Sequence, residues 1–214
     1  MSLTLETLAG LSDFIREAPR KSERRIVAIA GAPGSGKSTL AQRLAEKLTY
    51  MGTQAQVVPM DGFHLDNRIL DGLGLFTRKG APETFDVHGF KRLVAALGSG
   101  SPVYYPLFDR TRDLSIAGAG VLSADCDTVI VEGNYLLLDA PHWRDLSDVW
   151  DVRVNLSVPL DILRQRLTAR WLAQGLAPDA ALARAEGNDL VNARRILDAA
   201  LPCDAVFKNT GTPA

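Results

Sequence analysis

The chain is predicted to adopt an α/β fold, helices packed around a mostly parallel sheet. Three observations predict it. Apolar runs of strand length alternate with stretches of helical periodicity along the 214 residues. A glycine-rich loop joins the first apolar run, Ile26 to Ala30, to the first long helical stretch. A hydrophobic content of 46% is enough to line a core on both faces of a sheet.

In chain order, Leu5, Leu8, Leu11 (or the neighbouring Ala9) and Ile15 recur at helical spacing and predict an N-terminal helix over about 3–18. A basic turn, Arg20 to Arg25, leads into the strand Ile26–Ala30. Leu40, Leu44 and Leu48 line one face of a helix ending near Gly52, and a second short strand follows at Val57 and Val58. Phe63 to Pro82 is the longest non-periodic stretch, a candidate substrate loop. Asp86 caps a helix bearing Phe90, Leu93, Val94 and Leu97, which the Gly98–Pro102 cluster ends. A loop-rich stretch runs from there to about Leu122. Thr128–Val131 and Val149–Leu156 read as strands, and a helix from Leu160 stops at Gly175. Pro178 opens a last long helix, and Ala205-Val206-Phe207 a closing strand before a polar tail.

Composition narrows the partner. The 24 Lys plus Arg nearly cancel 25 Asp plus Glu, so no excess charge suits nucleic acid or an anionic membrane, and the partner is expected to be small. Cys126 and Cys203 stand far apart and outside any metal-ligand spacing, which fits two buried thiols in a reducing compartment. With neither a signal-like apolar run nor a segment of membrane-spanning length, the expected setting is the cytoplasm and the expected organisation one globular unit over 1–214.

Gly31-Ala32-Pro33-Gly34-Ser35-Gly36-Lys37-Ser38-Thr39 satisfies G-x-x-x-x-G-K-[ST] between a predicted strand and a predicted helix. Glycines let backbone N–H groups converge on phosphate oxygens, Lys37 brings charge to the β- and γ-phosphates, and Ser38 offers a hydroxyl to Mg²⁺. ATP and Mg²⁺ are therefore expected. The dinucleotide fingerprint G-x-G-x-x-G fails, because Pro33 occupies its second glycine. An acid at the end of a neighbouring strand is required beside the metal, and Glu132 follows Val129-Ile130-Val131. Asp61 sits just past the second strand, where open α/β sheets bind ligands, and is a candidate base for an acceptor hydroxyl, although Asp-Gly is also a common turn pair.

These motifs, with Met60-Asp61-Gly62-Phe63-His64, Arg78-Lys79-Gly80-Ala81-Pro82-Glu83-Thr84-Phe85-Asp86, Pro102-Val103-Tyr104-Tyr105 and Val131-Glu132-Gly133-Asn134-Tyr135, resemble the uridine kinase, phosphoribulokinase and bacterial pantothenate kinase group of P-loop kinases. The resemblance covers about Ile26 to Ile196 and is nearest to the bacterial branch named for fructose transport systems. It implies a P-loop NTPase three-layer α/β/α sandwich with a helical lid over about 160–176, and transfer of the γ-phosphoryl group of ATP to a small-molecule hydroxyl. Asp61 matches the catalytic base and Glu132 the metal-site acid. Arg166 and Arg170, i, i+4 on the lid helix, would reach the transferring phosphoryl group, while Arg164 faces solvent. His64, Arg78, Lys79, Tyr105, Arg110, Arg112, Asn134 and Asn188 are candidates to face the substrate, although His64 can also simply pack and Asn188 with Asn192 can also make interhelical hydrogen bonds. His88 and His142 carry no such context. Lys208-Asn209-Thr210 occupies the position where such kinases often hold adenine. Relatives in the group are often dimers or larger, and a homo-oligomer stays open, since no interface signature stands in the sequence.

A sugar-like polyol or a nucleoside is the expected acceptor. In pantothenate kinases the stretch matching Pro102–Tyr105 continues into a substrate-holding histidine, and here Pro106 stands there, without a side-chain hydrogen bond to offer. Two other readings compete. A regulatory GTPase lacks support because Asn-Lys-x-Asp is missing, and Asp71-Gly72-Leu73-Gly74 matches only the short D-x-x-G pattern in a stretch with no predicted element. An inactive nucleotide-binding subunit is harder to reconcile with the presence of Lys37, Asp61 and Glu132.

Overall fold

A computed structural model describes residues 2–209. Six strands form one parallel sheet: β1 (Leu3–Leu5), β2 (Arg25–Gly31), β3 (Ala55–Pro59), β6 (Thr128–Gly133), β7 (Val152–Ser157) and β8 (Ala205–Lys208). Their spatial order is β1-β8-β7-β2-β6-β3. The remaining strands, β4 (Val103–Asp109) and β5 (Leu114–Leu122), make a separate antiparallel hairpin.

Alternation along the central strand builds the layers. Ile26, Ala28 and Ala30 of β2 face a core shared with α4 (Val87–Leu97), whose Phe90, Leu93, Val94 and Leu97 are all buried. Val27 and Ile29 face the opposite core, against Leu11 and Ile15 of α1 (Leu8–Glu17) and Leu40, Leu44 and Leu48 of α2 (Lys37–Tyr50). A third cluster joins Ala32 beside the P-loop to Leu163 and Leu167 of α5 (Leu160–Ala173) and to Ala185, Leu190 and Ala193, fixing the α5 side of the helical cap on the phosphate loop. The Asp86 carboxylate accepts the Gly89 N–H at 2.7 Å, the expected cap.

Five expectations are corrected. The N-terminal helix begins at Leu8, because Leu3–Leu5 pairs in register with Ala205–Phe207 and Thr7 then caps the helix by accepting the Gly10 N–H at 3.1 Å. The loop-rich stretch before Leu122 is the β4–β5 hairpin. Its strands are hard to see because a bulge at Pro106 breaks the alternation and Ala117-Gly118-Ala119-Gly120 carries almost no side chain. The stretch with D-x-x-G contains a short helix, α3 (Asn67–Gly72), capped by Asp66. The last long helix is broken into α6 (Pro178–Arg184), a π-helical turn over Ala185–Asp189 and α7 (Leu190–Asp198). Cys126 is buried but Cys203 is only half-buried, and both thiols are free. Among the described residues no helix is long and apolar enough to cross a membrane.

Candidate active site

Strand order brings the chemistry together. β6 lies between β2 and β3, and Glu132 is level with Ile29 on one side and Pro59 on the other. The P-loop begins two residues past Ile29 and Asp61 stands two residues past Pro59, so three neighbouring strands deliver Lys37, Glu132 and Asp61 to one sheet edge.

The P-loop backbone is set by Gly34 (φ +76°) and Gly36 (φ +89°), both in the left-handed region. A Cβ at Gly34 would lie 3.0 Å from Leu167 of the cap helix, so the glycine also admits close packing. Ser35 is fully buried and its hydroxyl has no partner among the described residues. Ser38 donates to Glu132 Oε1 at 3.1 Å, joining a hydroxyl and a carboxylate oxygen, the hard donors Mg²⁺ takes. The residues therefore fit a magnesium–nucleotide complex. Burial holds the Lys37 ammonium below the ordinary lysine range against the pull of Glu132 and Asp61, and burial likewise raises Glu132.

A cleft of about 490 Å³ opens above this edge. Pro33, Gly34, Lys37, Asp61, His64 and Lys79 contribute to its walls, together with Arg110, Asn134 and Arg170. Arg110 donates to Asp61 Oδ2 at 2.8 Å. His64 Nδ1 lies 2.7 Å from the carbonyl of Asp61, which requires the proton on Nδ1 and leaves Nε2 an acceptor. Burial lowers the His64 pKa, so the ring is neutral at pH 7. The Oδ1 atom of Asn134 is a second buried acceptor, with no partner among the described residues.

Other expected site residues lie elsewhere. Tyr105 is 7% exposed in the core and donates its hydroxyl to the Val57 carbonyl at 3.1 Å, so it is not substrate-facing. Arg78 donates to Asn188 Oδ1 at 2.8 Å and Asn192 Oδ1 at 3.2 Å, and Asn188 donates to the Lys79 carbonyl at 2.9 Å, a strap between the acceptor loop and the cap. Arg112 is exposed beside Asp109, outside the cleft. Arg166 donates to the carbonyls of Ser35 at 3.2 Å and Asn209 at 3.4 Å, which places it behind the phosphate loop, whereas Arg170 lines the cleft. Arg164 pairs with Glu186 at 3.3 Å on the surface. His88 and His142 pack against each other, ring centroids 4.6 Å apart and planes tilted by 60°. Asn209 donates to the Ser35 carbonyl at 2.9 Å, and Thr210 lies outside the described residues.

Sequence reasoning missed Trp171, Arg184, Asp189 and Asp113, all of which line the cleft. Trp171 donates to Asp189 Oδ2 at 2.6 Å and lies within 5.3 Å of the Arg170 and Arg184 guanidinium carbons. A tryptophan next to a lid arginine was the available signal. The π-helical turn that carries Asp189 into the cleft has none in the periodicity.

An AAA-domain family model matches residues 27–173. The uncharacterized protein YggC of Escherichia coli is 37% identical over 177 residues, 81% of this chain and 73% of that protein. A candidate uridine kinase of Schizosaccharomyces pombe is 32% identical over 186 residues, covering 82% and 79%. The crystal structure of a candidate fructose transport system kinase from Silicibacter sp. TM1040 is 56% identical and superimposes with a TM-score of 0.91 over 95% of this chain and 100% of that one. A nucleotide loop, a strand-edge carboxylate row and a helical cap define the class, a P-loop phosphotransferase. The chain belongs to the P-loop kinase family of these relatives, the ATP-dependent small-molecule kinases.

Proposed function

We propose that this cleft transfers the γ-phosphoryl group of ATP to a hydroxyl of a polyol, a sugar of the fructose type or a nucleoside. The observation that supports it most directly is the row of Lys37, Glu132 and Asp61 across three adjacent strands, with Arg170 on the facing wall. In this reading the P-loop amides and Lys37 hold the β- and γ-phosphates, and Arg170 meets the charge on the transferring group. Ser38 and Glu132 would hold Mg²⁺ directly or through its water, and the ion would supply positive charge to offset that of the phosphates. Asp61 accepts the proton of the attacking hydroxyl. Arg166 acts indirectly by keeping the Ser35 carbonyl, and with it the loop, in place.

The acceptor follows from the hydrogen-bond acceptors that line the cleft. His64 Nε2, Asn134 Oδ1 and Asp61 all accept hydrogen bonds, which suits a ligand rich in hydroxyl donors. Phe76 and Phe108 add apolar wall, against which the carbon face of a sugar or a base packs. Pro106 brings no polar side chain, and its carbonyl abuts Gly62, where an added Cβ would sit 2.0 Å away. The name of the Silicibacter relative agrees with a fructose-type acceptor.

The test is ADP release with magnesium and ATP over fructose and other sugars, uridine, cytidine and pantothenate in one buffer, with Lys37→Ala as the control for contaminating activity. The highest kcat/KM is expected for a sugar or nucleoside. Efficient turnover of pantothenate with the others inert would overturn the acceptor class, and tight ATP binding without turnover on any compound would favour a regulatory subunit.

A further inference from the structure

The candidate base is already occupied. Arg110 Nη2 lies 2.8 Å from Asp61 Oδ2, and the two are held in that relation by their supports, not by chance contact of two long side chains. Asp61 sits on a 3₁₀ turn, Met60–Phe63, whose Gly62 packs against the β4 backbone at Pro106 too closely to admit a Cβ. Arg110 sits at the tip of the hairpin that β4 begins. There the Asp109 carboxylate accepts the N–H groups of Thr111 and Arg112, both at 3.0 Å. Lys79 ties the other side of the tip down, donating to the Asp113 carbonyl at 2.8 Å and to Asn67 Oδ1 at 2.7 Å and pairing with Asp113 Oδ1 at 2.9 Å. Asp113 itself has φ +53°, a left-handed conformation that closes the tip. Hairpin and base-bearing turn thus form one body, and only the Arg110 side chain is left to move.

We infer that Arg110 is a latch on Asp61, a positioning residue that keeps the carboxylate from activating water until an acceptor displaces it. This rests on the reading of Asp61 as the base. A kinase with bound ATP and an open base is exposed to a wasteful reaction. The carboxylate takes a proton from water, the water oxygen bonds to the γ-phosphorus, and the bond from that phosphorus to the β,γ-bridging oxygen breaks, leaving ADP and inorganic phosphate. The arginine takes up Oδ2, one of the two oxygens through which Asp61 can accept a proton from water. The pair is also weak enough to open. Arg110 is 58% exposed and Asp61 21%, so solvent screens their attraction, and a polyol offering several hydrogen bonds at once outcompetes it. Once released, the guanidinium remains beside Lys37 and Arg170, whose charges it already feels, in reach of the acceptor or the incoming phosphoryl oxygens.

The hydrolysis measurement needs no knowledge of the acceptor. Phosphate release from magnesium–ATP alone is measured for the full chain and for Arg110→Gln, Arg110→Lys, Asp61→Asn and the double variant Arg110→Gln/Asp61→Asn, with folding followed by circular dichroism. Arg110→Gln is expected to raise hydrolysis about threefold to tenfold, the range a weak exposed pair can control. Arg110→Lys is expected to restore most of the suppression, and the double variant to fall to the Asp61→Asn level. Hydrolysis unchanged or reduced in Arg110→Gln would overturn the latch. So would a rise that persists in the double variant, because the water would then be activated elsewhere. If the reading of Asp61 fails instead, the signature is different: Asp61→Asn alone leaves acceptor phosphorylation intact.

Discussion

β2 carries a buried or half-buried cation past each of its ends, and the two are treated in opposite ways. At the N-terminal end Arg24 is 1% exposed and has no carboxylate partner among the described residues. Its guanidinium is spent on the carbonyls of Cys126 at 3.1 Å, Ser101 and Ser123 at 2.9 Å each, and Leu97 at 3.4 Å, which ties together the ends of α4, the hairpin and the loop before β6. At the C-terminal end the Lys37 ammonium makes no hydrogen bond among the described residues and is held in a desolvated site whose counter-charges, Glu132 and Asp61, come from neighbouring strands. One cation has used its donors to close the structure. The other leaves its donors facing the cleft. Satisfied polar groups hold a fold, and a cluster of unsatisfied ones persists only where something else is meant to complete it. Of the three buried side-chain atoms without a partner among the described residues, Ser35 Oγ and Asn134 Oδ1 lie at the Lys37 end and Thr128 Oγ1 at the start of β6.

The contrast can be broken at either end. The largest effect is expected from Asp61→Asn, which keeps the shape and removes the proton acceptor: kcat should fall by roughly a hundredfold to ten-thousandfold, with ATP affinity and the melting temperature almost unchanged. Single-turnover kinetics beside an ATP titration reads this directly. A variant that loses ATP binding alone would make Asp61 a nucleotide or metal residue.

Arg24→Met should do the reverse. Removing the guanidinium leaves buried carbonyls without donors, at a cost of about 3 kcal/mol, which in a chain of this size lowers Tm by about 6–12 °C. The folded fraction should retain wild-type kcat. Lost turnover at an unchanged Tm would show that the two ends are not separable in this way.

The smallest effect sharpens the comparison within the cleft. Burial raises Asp189 above its ordinary value of 3.8, despite the hydrogen bond from Trp171 and the nearby charges of Arg170 and Arg184. The native state then binds this proton more readily than the unfolded chain. Its contribution is most favourable below the unfolded pKa and is lost as pH rises through the raised native value, so at pH 7 the buried charge weighs against folding. Asp189→Asn keeps an acceptor for Trp171 and should raise Tm by about 1–3 °C at pH 7, with no gain near pH 3. Melting curves at the two pH values decide it; a lower Tm at pH 7 would mean that the two arginines outweigh the burial.

Local chemistry was legible in the amino-acid sequence. The P-loop, the strand before it, the Leu40, Leu44 and Leu48 face, the Asp86 cap and the stop at Gly175 each depend on residues within one turn or one strand of one another, and the structure has them as expected. So does the placement of Glu132 and Asp61 at strand ends, because an apolar run ending in a carboxylate marks the sheet edge wherever the strand lies. Features that depend on distant segments were hidden. Leu3–Leu5 is a strand only because Ala205–Phe207 is there to pair with it, and small residues around a bulge become a hairpin because Tyr105 and Leu122 find the core. Tyr105 and Arg78 looked like ligand contacts because their types and neighbours permit it, but their hydrogen bonds are spent on Val57 and on Asn188 with Asn192. Residue type and spacing thus determined which groups can bind phosphate, metal and hydroxyl. Only the tertiary structure decided which of them remain unspent, since a donor or acceptor is available to a ligand only if no partner brought from elsewhere in the chain has already taken it.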